Sequence, residues 1–336
     1  MKKFIDDPAV SKYISNYRTF AIFCLVFSHI PYKLSSYVNA TALGADYFSF
    51  HLYEYSDLFV IYMREGVGRV SAPSLSLISA WICMHAASKN GRKFKAQAYI
   101  LSKAKSLLIP YCFWNFICIA AFATIFIVTN NEGYIWGIRN ISCYTVFQNC
   151  WPPNIPLHFL YDMFLVQVVW SVFLIKLRER SVAILILMIS SPLVLTYFGS
   201  SEFWLGSNSS SILPRVDLVF YFLMGIITYR FCGVLFAKDS LKILTSKIFI
   251  TALFLISFPV SIGLFNFHEF NRISFSIGNI LDLYYSLVYR LIFSILIFSL
   301  SLRLGLFLER INYRFSFRLF CTHHISIAFI YSTLNI

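Results

Sequence analysis

Apolar runs long enough to cross a bilayer alternate along the chain with short polar segments. A transmembrane helix needs about 20 mainly apolar residues to cross about 30 Å of hydrocarbon. The windows that meet this requirement are 18–38, 67–88, 107–129, 157–175, 181–198, 213–230, 243–265, 281–301 and 315–334. The pattern predicts an all-α fold, a polytopic transmembrane helical bundle of about nine spans. No internal repeat or low-complexity tract divides the chain, so we expect a single integral-membrane domain over residues 1–336.

The composition agrees with a membrane protein and excludes a soluble globular one. The chain is 58% hydrophobic and 13% charged, with a mean hydropathy of +0.70, whereas a soluble domain is usually about a quarter charged. The net charge of +13 would suggest a nucleic-acid partner for a soluble protein, but in membrane proteins Lys and Arg collect in cytoplasmic loops. We therefore expect the lipid bilayer as a partner and no nucleic acid. The eight cysteines have no metal-binding spacing such as C-x-x-C, so no metal is expected.

The basic residues also predict the orientation in the membrane. If the N-terminus is cytoplasmic, the inner loops hold 20 lysines and arginines and the outer loops hold 6, while Arg18 and Arg290 lie at or within spans. Such a bias predicts a cytoplasmic N-terminus. The longest outer segments are then 39–66 and 130–156, both aromatic and polar. They suit a surface that handles an extracytoplasmic substrate.

Two ionisable residues lie in the first window. Arg18 and His29 are separated, in a continuous α-helix, by about 20° more than three full turns and by about 16 Å along the axis. Both would then project from one face, with Arg18 at the inner boundary and His29 near the bilayer centre. Ionisable residues inside a membrane usually face a protein interior or a cavity and mark a functional site. The alternative is that Arg18 reaches the interface and His29 bonds to a neighbouring helix.

Short sequence blocks follow one another in a fixed order over about 300 residues. They are R-x10-H at 18–29, RVSAPSLSLISAWI at 69–82, LIPYCFWN at 108–115, PLHFLYDMF at 156–164, DLVFYFLMGI at 217–226 and SFRLFCTHH at 316–324. Together these blocks resemble the acyltransferase 3 family, the polytopic membrane O-acyltransferases that modify bacterial glycans. The second block has Arg69, Pro73 and Ser79 in register, the fourth retains Asp162, and the last puts His323 on a family histidine.

The chain departs from the family pattern at several positions. Ala80 stands where the family has glycine, and Trp81 where it has tyrosine. His158 and Tyr161 stand where tryptophan and arginine are usual. The chain ends at Ile336, just after the ninth predicted span, whereas the family usually has ten. With nine spans and a cytoplasmic N-terminus, the C-terminus is expected outside.

The resemblance implies transfer of an acetyl group from cytoplasmic acetyl-CoA to a hydroxyl of a cell-surface or lipid-linked polysaccharide sugar, such as an O-antigen. The implied location is the bacterial cytoplasmic (inner) membrane. A neutral imidazole near physiological pH can take the proton of a sugar hydroxyl, so His29 is expected to act as the base, or alternatively to carry the acyl group. Arg69 is expected either to orient the acceptor or to stabilise the oxyanion. Its alternative role is an interfacial anchor.

The donor is expected to bind on the cytoplasmic side. Arg18, together with Lys93 and Lys95 of the basic inner loop 89–105, could hold the phosphates of coenzyme A, because Arg and Lys pair strongly with such groups. The alternative for this loop is that its charges only fix the orientation of the protein.

Three further residues are expected on the acceptor side of the site. His323, Asp162 and Ser79 are the candidates for substrate binding. For Asp162 the alternative is a structural ion pair with the intramembrane Arg290.

Two other functions stay open at this point. A flippase or transporter of a lipid-linked sugar would line its path with the same buried charges, although no inverted repeat is visible in the sequence. An inactive relative that binds glycan would keep the fold and lack turnover. Acetyl transfer is the function that the ordered blocks favour.

Overall fold

The computed structural model describes residues 8–29, 55–90, 94–129, 158–173, 176, 180–198, 216–270 and 280–305. Within these ranges the chain forms helices joined by short turns, and none of the described residues lies in a β-strand. The predicted all-α class is therefore confirmed for the described part of the chain.

Two of the helical stretches change their hydrogen-bonding pattern part-way along, and a third, α1, continues into a 3₁₀ helix. The described elements, in chain order, are α1 (Pro8–Leu25), a 3₁₀ helix (Val26–His29), α2 (Tyr55–Ile61), the π-helix π1 (Tyr62–Gly68), α3 (Arg69–Asn90), α4 (Ala96–Lys103), the π-helix π2 (Ala104–Leu108), α5 (Ile109–Thr129), α6 (His158–Val172), α7 (Ser181–Phe198), α8 (Val216–Tyr229), α9 (Cys232–Leu235), α10 (Lys238–Leu244), α11 (Lys247–Phe270) and α12 (Ile280–Arg303). The segments α2–π1–α3 and α4–π2–α5 each run without a break.

The chain divides into two compact units. The first comprises Met1–His85 and Phe220–Ser316, and the second comprises Ala86–Val219 and Phe317–Ile336. In the first unit α1 packs along α12, and π1 packs against α11 and α12. In the second unit α6 packs against α4, π2 and α5.

Small residues bring α3 and α8 close together in the first unit. A Cβ atom added at Gly225 would lie 2.6 Å from the carbonyl oxygen of Leu77 and 2.7 Å from the Cβ of Ala80. Contacts of this kind are typical of helices that pack inside membranes, because small side chains let the two backbones approach. The indole of Trp81 then bonds to Thr228 one turn further along.

Aromatic rings and one amide hold the second unit together. The rings of Phe94 and Tyr99 both contact the fully buried Trp170 of α6, with centroids 5.7 Å away in each case. The hydroxyl of Tyr99 donates to Oε1 of Gln167 over 2.9 Å. These contacts fix the start of α4 against α6.

The lengths of the apolar helices agree only in part with nine spans. Among the described residues, Leu58–Ser88 and Ala96–Ala121 are long and apolar enough to cross a membrane, and a third span is added if Lys238–Leu244 and Lys247–Ser261, which meet at 51°, form one bent span. The shorter apolar helices are Phe159–Val172, Ser181–Val194 and Asp217–Tyr229. Every predicted window except the last overlaps a described helix, and window 315–334 lies outside the described residues. The number of nine spans stays a prediction.

The first helix begins earlier than the hydropathy window. The window started at Arg18, whereas α1 starts at Pro8, because proline suits the first position of a helix. Val10, Ile14 and Tyr17 are buried at the spacing of one helix face. Polar residues between them lower the mean hydropathy, so the window missed this part.

The last part of the predicted outer segment 39–66 overlaps Leu58–Ser88, a helix long and apolar enough to cross a membrane. Residues 55–66 are helical, in α2 and π1. Leu58, Ile61 and Tyr62 are buried there, and π1 packs against α11 and α12. Of the aromatic residues described there, Tyr62 is packed inside the first unit and Phe59 is exposed.

Candidate active site

The helix that carries Arg69 departs from α-helical hydrogen bonding on both sides of that residue. At the end of π1 the amide of Arg69 donates to the carbonyl of Arg64, five residues earlier. The hydroxyl of Ser71 donates to the carbonyl of Val67 over 2.8 Å. Pro73, inside α3, has no amide hydrogen to give to the carbonyl of Arg69. Non-α segments of this kind are frequent at functional sites.

The structure brings the segments of His29 and Arg69 together. The 3₁₀ helix that ends at His29 packs against π1, and Arg69 directly follows π1. Arg69 is half-buried, while the side chain of His29 lies outside the described residues. Two of the predicted catalytic residues thus belong to neighbouring backbone segments of the first unit. Their chemical roles stay predictions.

Arg18 lies on α1, which packs along α12 and also contacts π1. Its side chain is half-buried. The neighbouring Tyr17 donates its hydroxyl hydrogen to the carbonyl of Ser294 over 3.3 Å, and the hydroxyl of Ser74 donates to Oγ of Ser294 over 3.0 Å. Ser294 of α12 is thus bonded to α1 through Tyr17, the neighbour of Arg18, and to α3 through Ser74.

The predicted common face of Arg18 and His29 needs a correction. That expectation assumed a continuous α-helix, but the chain tightens into a 3₁₀ helix at Val26–His29. With 3.0 residues per turn over those four residues, position 29 lies about 100° around the axis from position 18 instead of about 20°. The two positions therefore do not lie on one stripe of a helix.

Tyr62 and Gly66 anchor π1 to the two long helices beside it. The hydroxyl of Tyr62 is 3.0 Å from Oγ of Ser257 on α11. Its ring lies 5.2 Å, centroid to centroid, from that of Phe254 and 5.7 Å from that of Phe293. A Cβ atom at Gly66 would overlap the ring of Phe293 on α12, which is fully buried. Glycine is needed at position 66 for this close approach.

The other predicted site residues are distributed over both units. Ser79 is half-buried on α3 in the first unit. Asp162 is fully buried on α6 in the second unit, next to Tyr161, whose ring stacks on that of Tyr111 at 5.7 Å. Lys95 is exposed at the N-cap of α4, also in the second unit.

Two predicted residues, Lys93 and His323, lie outside the described residues. Arg290 is buried on α12 of the first unit, whereas Asp162 belongs to the second unit, and their ion pair stays a prediction.

The predictions from the sequence do not include the functional potential of π1. They name none of Arg64, Tyr62 and Gly66 as a site residue. The signal was two glycines, Gly66 and Gly68, just before a helical segment with an internal proline. A glycine inside a helix costs stability and usually has a packing or functional reason.

A separate cavity of about 490 Å³ lies at the predicted inner end of the first unit. Its lining residues are Tyr13, Lys238, Asp239, Leu241, Lys242, Thr245 and Leu302. None of the predicted site residues lines it. In the part of the chain that the structure describes, no group of three His, Cys, Asp or Glu side chains could hold a metal ion.

The comparison with protein families covers nearly the whole chain. A family model described as an acyltransferase domain matches residues 11–336. The chain belongs to the acyltransferase 3 family. The resemblance inferred from the ordered blocks is thereby confirmed. As a member of the acyltransferase 3 family, the protein is a membrane-embedded acyltransferase.

The family match covers every described helix, except that it begins three residues into α1. Comparisons with curated proteins and with solved structures found no match. The family therefore gives the general reaction, and the donor and acceptor have to be argued from the residues.

Proposed function

We propose that this acyltransferase 3 family member is an O-acetyltransferase that moves an acetyl group from cytoplasmic acetyl-CoA to a hydroxyl of a cell-surface or lipid-linked polysaccharide sugar. The observation that carries the proposal is the packing of the 3₁₀ helix ending at His29 against π1, which Arg69 follows. Acyl transfer to an alcohol needs a base for the hydroxyl proton and a cation for the developing oxyanion. These two residue types lie on neighbouring backbone segments.

The reaction then has simple steps. The imidazole of His29 accepts the proton of the sugar hydroxyl while the hydroxyl oxygen attacks the thioester carbonyl. Arg69 stabilises the negative oxygen of the tetrahedral intermediate. The carbon–sulfur bond breaks, and the leaving sulfur of coenzyme A takes the proton back from His29. The products are the sugar acetate and free coenzyme A.

The remaining predicted residues have supporting roles in the proposal. Arg18, half-buried on α1, holds a phosphate of the donor together with the loop lysines Lys93 and Lys95. Ser79, Asp162 and His323 belong to the acceptor side. The excess of basic residues in alternate loops supports a cytoplasmic N-terminus, and the family resemblance supports a bacterial inner membrane.

The test is mass analysis of surface glycans from cells with and without the protein. Cells lacking it are complemented with the wild type, with His29→Ala, or with His85→Ala, a matched control because His85 is a half-buried histidine of α3 outside the site. We expect the wild type and His85→Ala to add the mass of one acetyl group in place of a hydrogen. His29→Ala should leave the glycan unmodified at equal protein level.

Three results would contradict the proposal. Glycans that are identical with and without the protein would reject O-acetylation. A change in the amount of exported glycan without a change in acetyl content would support the carrier function. Binding of acetyl-CoA by purified wild type without any turnover would point to the inactive, glycan-binding relative.

A further inference from the structure

The π-helix determines how Arg64 is related to Arg69. In an α-helix two residues five positions apart are about 140° from each other around the axis. In a π-helix residues i and i+5 are hydrogen-bonded on successive turns, as i and i+4 are in an α-helix. The amide of Arg69 donates to the carbonyl of Arg64 in this way, and both side chains are half-buried. The side chains of the two arginines therefore leave the backbone on the same side of the helix.

The opposite side of π1 is the anchored side. Tyr62 and Gly66 are four residues apart, roughly one turn of a π-helix, and both contact Phe293 on α12. Arg64 lies two residues from each of them, roughly half a turn away. The contacts that fix π1 against α11 and α12 thus turn Arg64 away from those helices.

We infer that Arg64 is a second oxyanion-stabilising residue of the site, and that Tyr62 and Gly66 are positioning residues that hold it in register with Arg69. The inference rests on the proposed function. Two guanidinium groups on one side of a helix act on the same anionic oxygen, the one that forms on the acyl carbonyl when the sugar hydroxyl attacks. Without the π-helical turn, Arg64 would project from a different side.

The role of Arg64 is tested by transfer of labelled acetyl from acetyl-CoA to glycan in membrane vesicles of glycan-producing cells. The variants are Arg64→Gln, Arg64→Lys and, as a matched control, Arg230→Gln, since Arg230 is another half-buried arginine of the first unit. Rates are divided by the amount of folded protein, measured by fluorescence-detected gel filtration. Arg64→Gln should lower kcat by about a hundredfold with an unchanged KM for acetyl-CoA. Arg64→Lys should recover part of kcat, and Arg230→Gln should keep it.

The positioning role of Tyr62 is tested against a second tyrosine. Tyr62→Phe removes the hydroxyl bonded to Ser257, and Tyr221→Phe removes a buried hydroxyl that donates to the carbonyl of Leu287 over 2.8 Å. Both changes should lower the melting temperature of the purified protein by a similar amount. Only Tyr62→Phe should lower kcat per folded molecule, by about tenfold or more. In an Arg64→Gln background its added effect should shrink to within about twofold, because it acts through Arg64.

The failure of this inference is distinguishable from the failure of the proposed function. A wild type that transfers no acetyl group to glycan rejects the function. A wild type that transfers it, while Arg64→Gln changes only KM or changes nothing, rejects the inference alone. Equal kcat for Tyr62→Phe and Tyr221→Phe rejects the positioning role, as does a full Tyr62→Phe effect in the Arg64→Gln background.

Discussion

The indole nitrogen of Trp81 donates a hydrogen bond of 2.9 Å to Oγ1 of Thr228 and joins α3 to α8. Thr228 in turn donates to the carbonyl of Gly225 over 3.3 Å. Thr228→Ser keeps the hydroxyl that accepts from the indole, so we expect it to lose no more than about 1 kcal/mol of unfolding free energy. Thr228→Val leaves the buried indole N–H without this acceptor and should cost more, about 1–3 kcal/mol. Thermal unfolding in detergent measures the order, and a Thr228→Ser variant less stable than Thr228→Val would contradict it.

Gly225 permits the close packing of α8 on α3. Gly225→Ala puts a methyl group 2.6 Å from the carbonyl oxygen of Leu77 and should destabilise the protein by about 1–3 kcal/mol through overpacking. Gly233→Ala is the matched control, because nothing lies within 4 Å of its added Cβ. Ala80→Gly should recover part of the loss, since the Cβ of Ala80 is the second atom in the way. Equal melting temperatures for the two alanine variants would contradict this packing.

Gly66 lies at a close contact between π1 and α12. Gly66→Ala overlaps the ring of Phe293, which cannot move freely because it is fully buried. We expect a loss of about 1–3 kcal/mol and lower acetyl transfer per folded molecule. Adding Phe293→Leu makes room and should recover stability relative to Gly66→Ala alone. A double variant no more stable than Gly66→Ala would show that overlap with Phe293 is not what destabilises Gly66→Ala.

Arg18 is proposed to bind a phosphate of the donor. Arg18→Gln should raise the KM for acetyl-CoA by about tenfold, which corresponds to about 1.4 kcal/mol of binding free energy. Lys95→Gln should raise it only about twofold, because Lys95 is exposed and exposed charge pairs contribute about 0–1 kcal/mol. Initial rates at varied acetyl-CoA measure both. A larger effect at Lys95 than at Arg18 would contradict this proposal and indicate that the donor binds at the basic loop 89–105.

The sequence predicted the fold class and most helices because long apolar runs leave few alternatives. Each window before the last overlaps a described helix, and six ordered blocks identified the family that the whole-chain match confirms. The start of α1 was missed because the residues after Pro8 mix polar and buried apolar positions. A hydropathy window averages the polar and apolar sides of such a helix. The buried residues alone show the helical spacing.

The site was predictable as residue types and not as geometry. His29 is predicted from an ionisable residue in an apolar run and Arg69 from the family resemblance, and their segments do lie together. The shift from α to 3₁₀ geometry at Val26 and to π geometry at Tyr62 could not be predicted, since both depend on neighbouring helices. The close approach of Gly66 to Phe293 joins positions more than 200 residues apart in the chain. Arg64 therefore had no local signal of its own.

The most direct test of the account is transfer of labelled acetyl from acetyl-CoA to the glycan fraction by purified protein in lipid nanodiscs, with wild type, His29→Ala and His85→Ala compared at equal folded amounts. The account predicts label in the glycan and release of free coenzyme A for the wild type and for His85→Ala. His29→Ala should lose at least about a hundredfold in rate, the contribution of a positioned base. A His29→Ala variant that labels the glycan at the wild-type rate would contradict it.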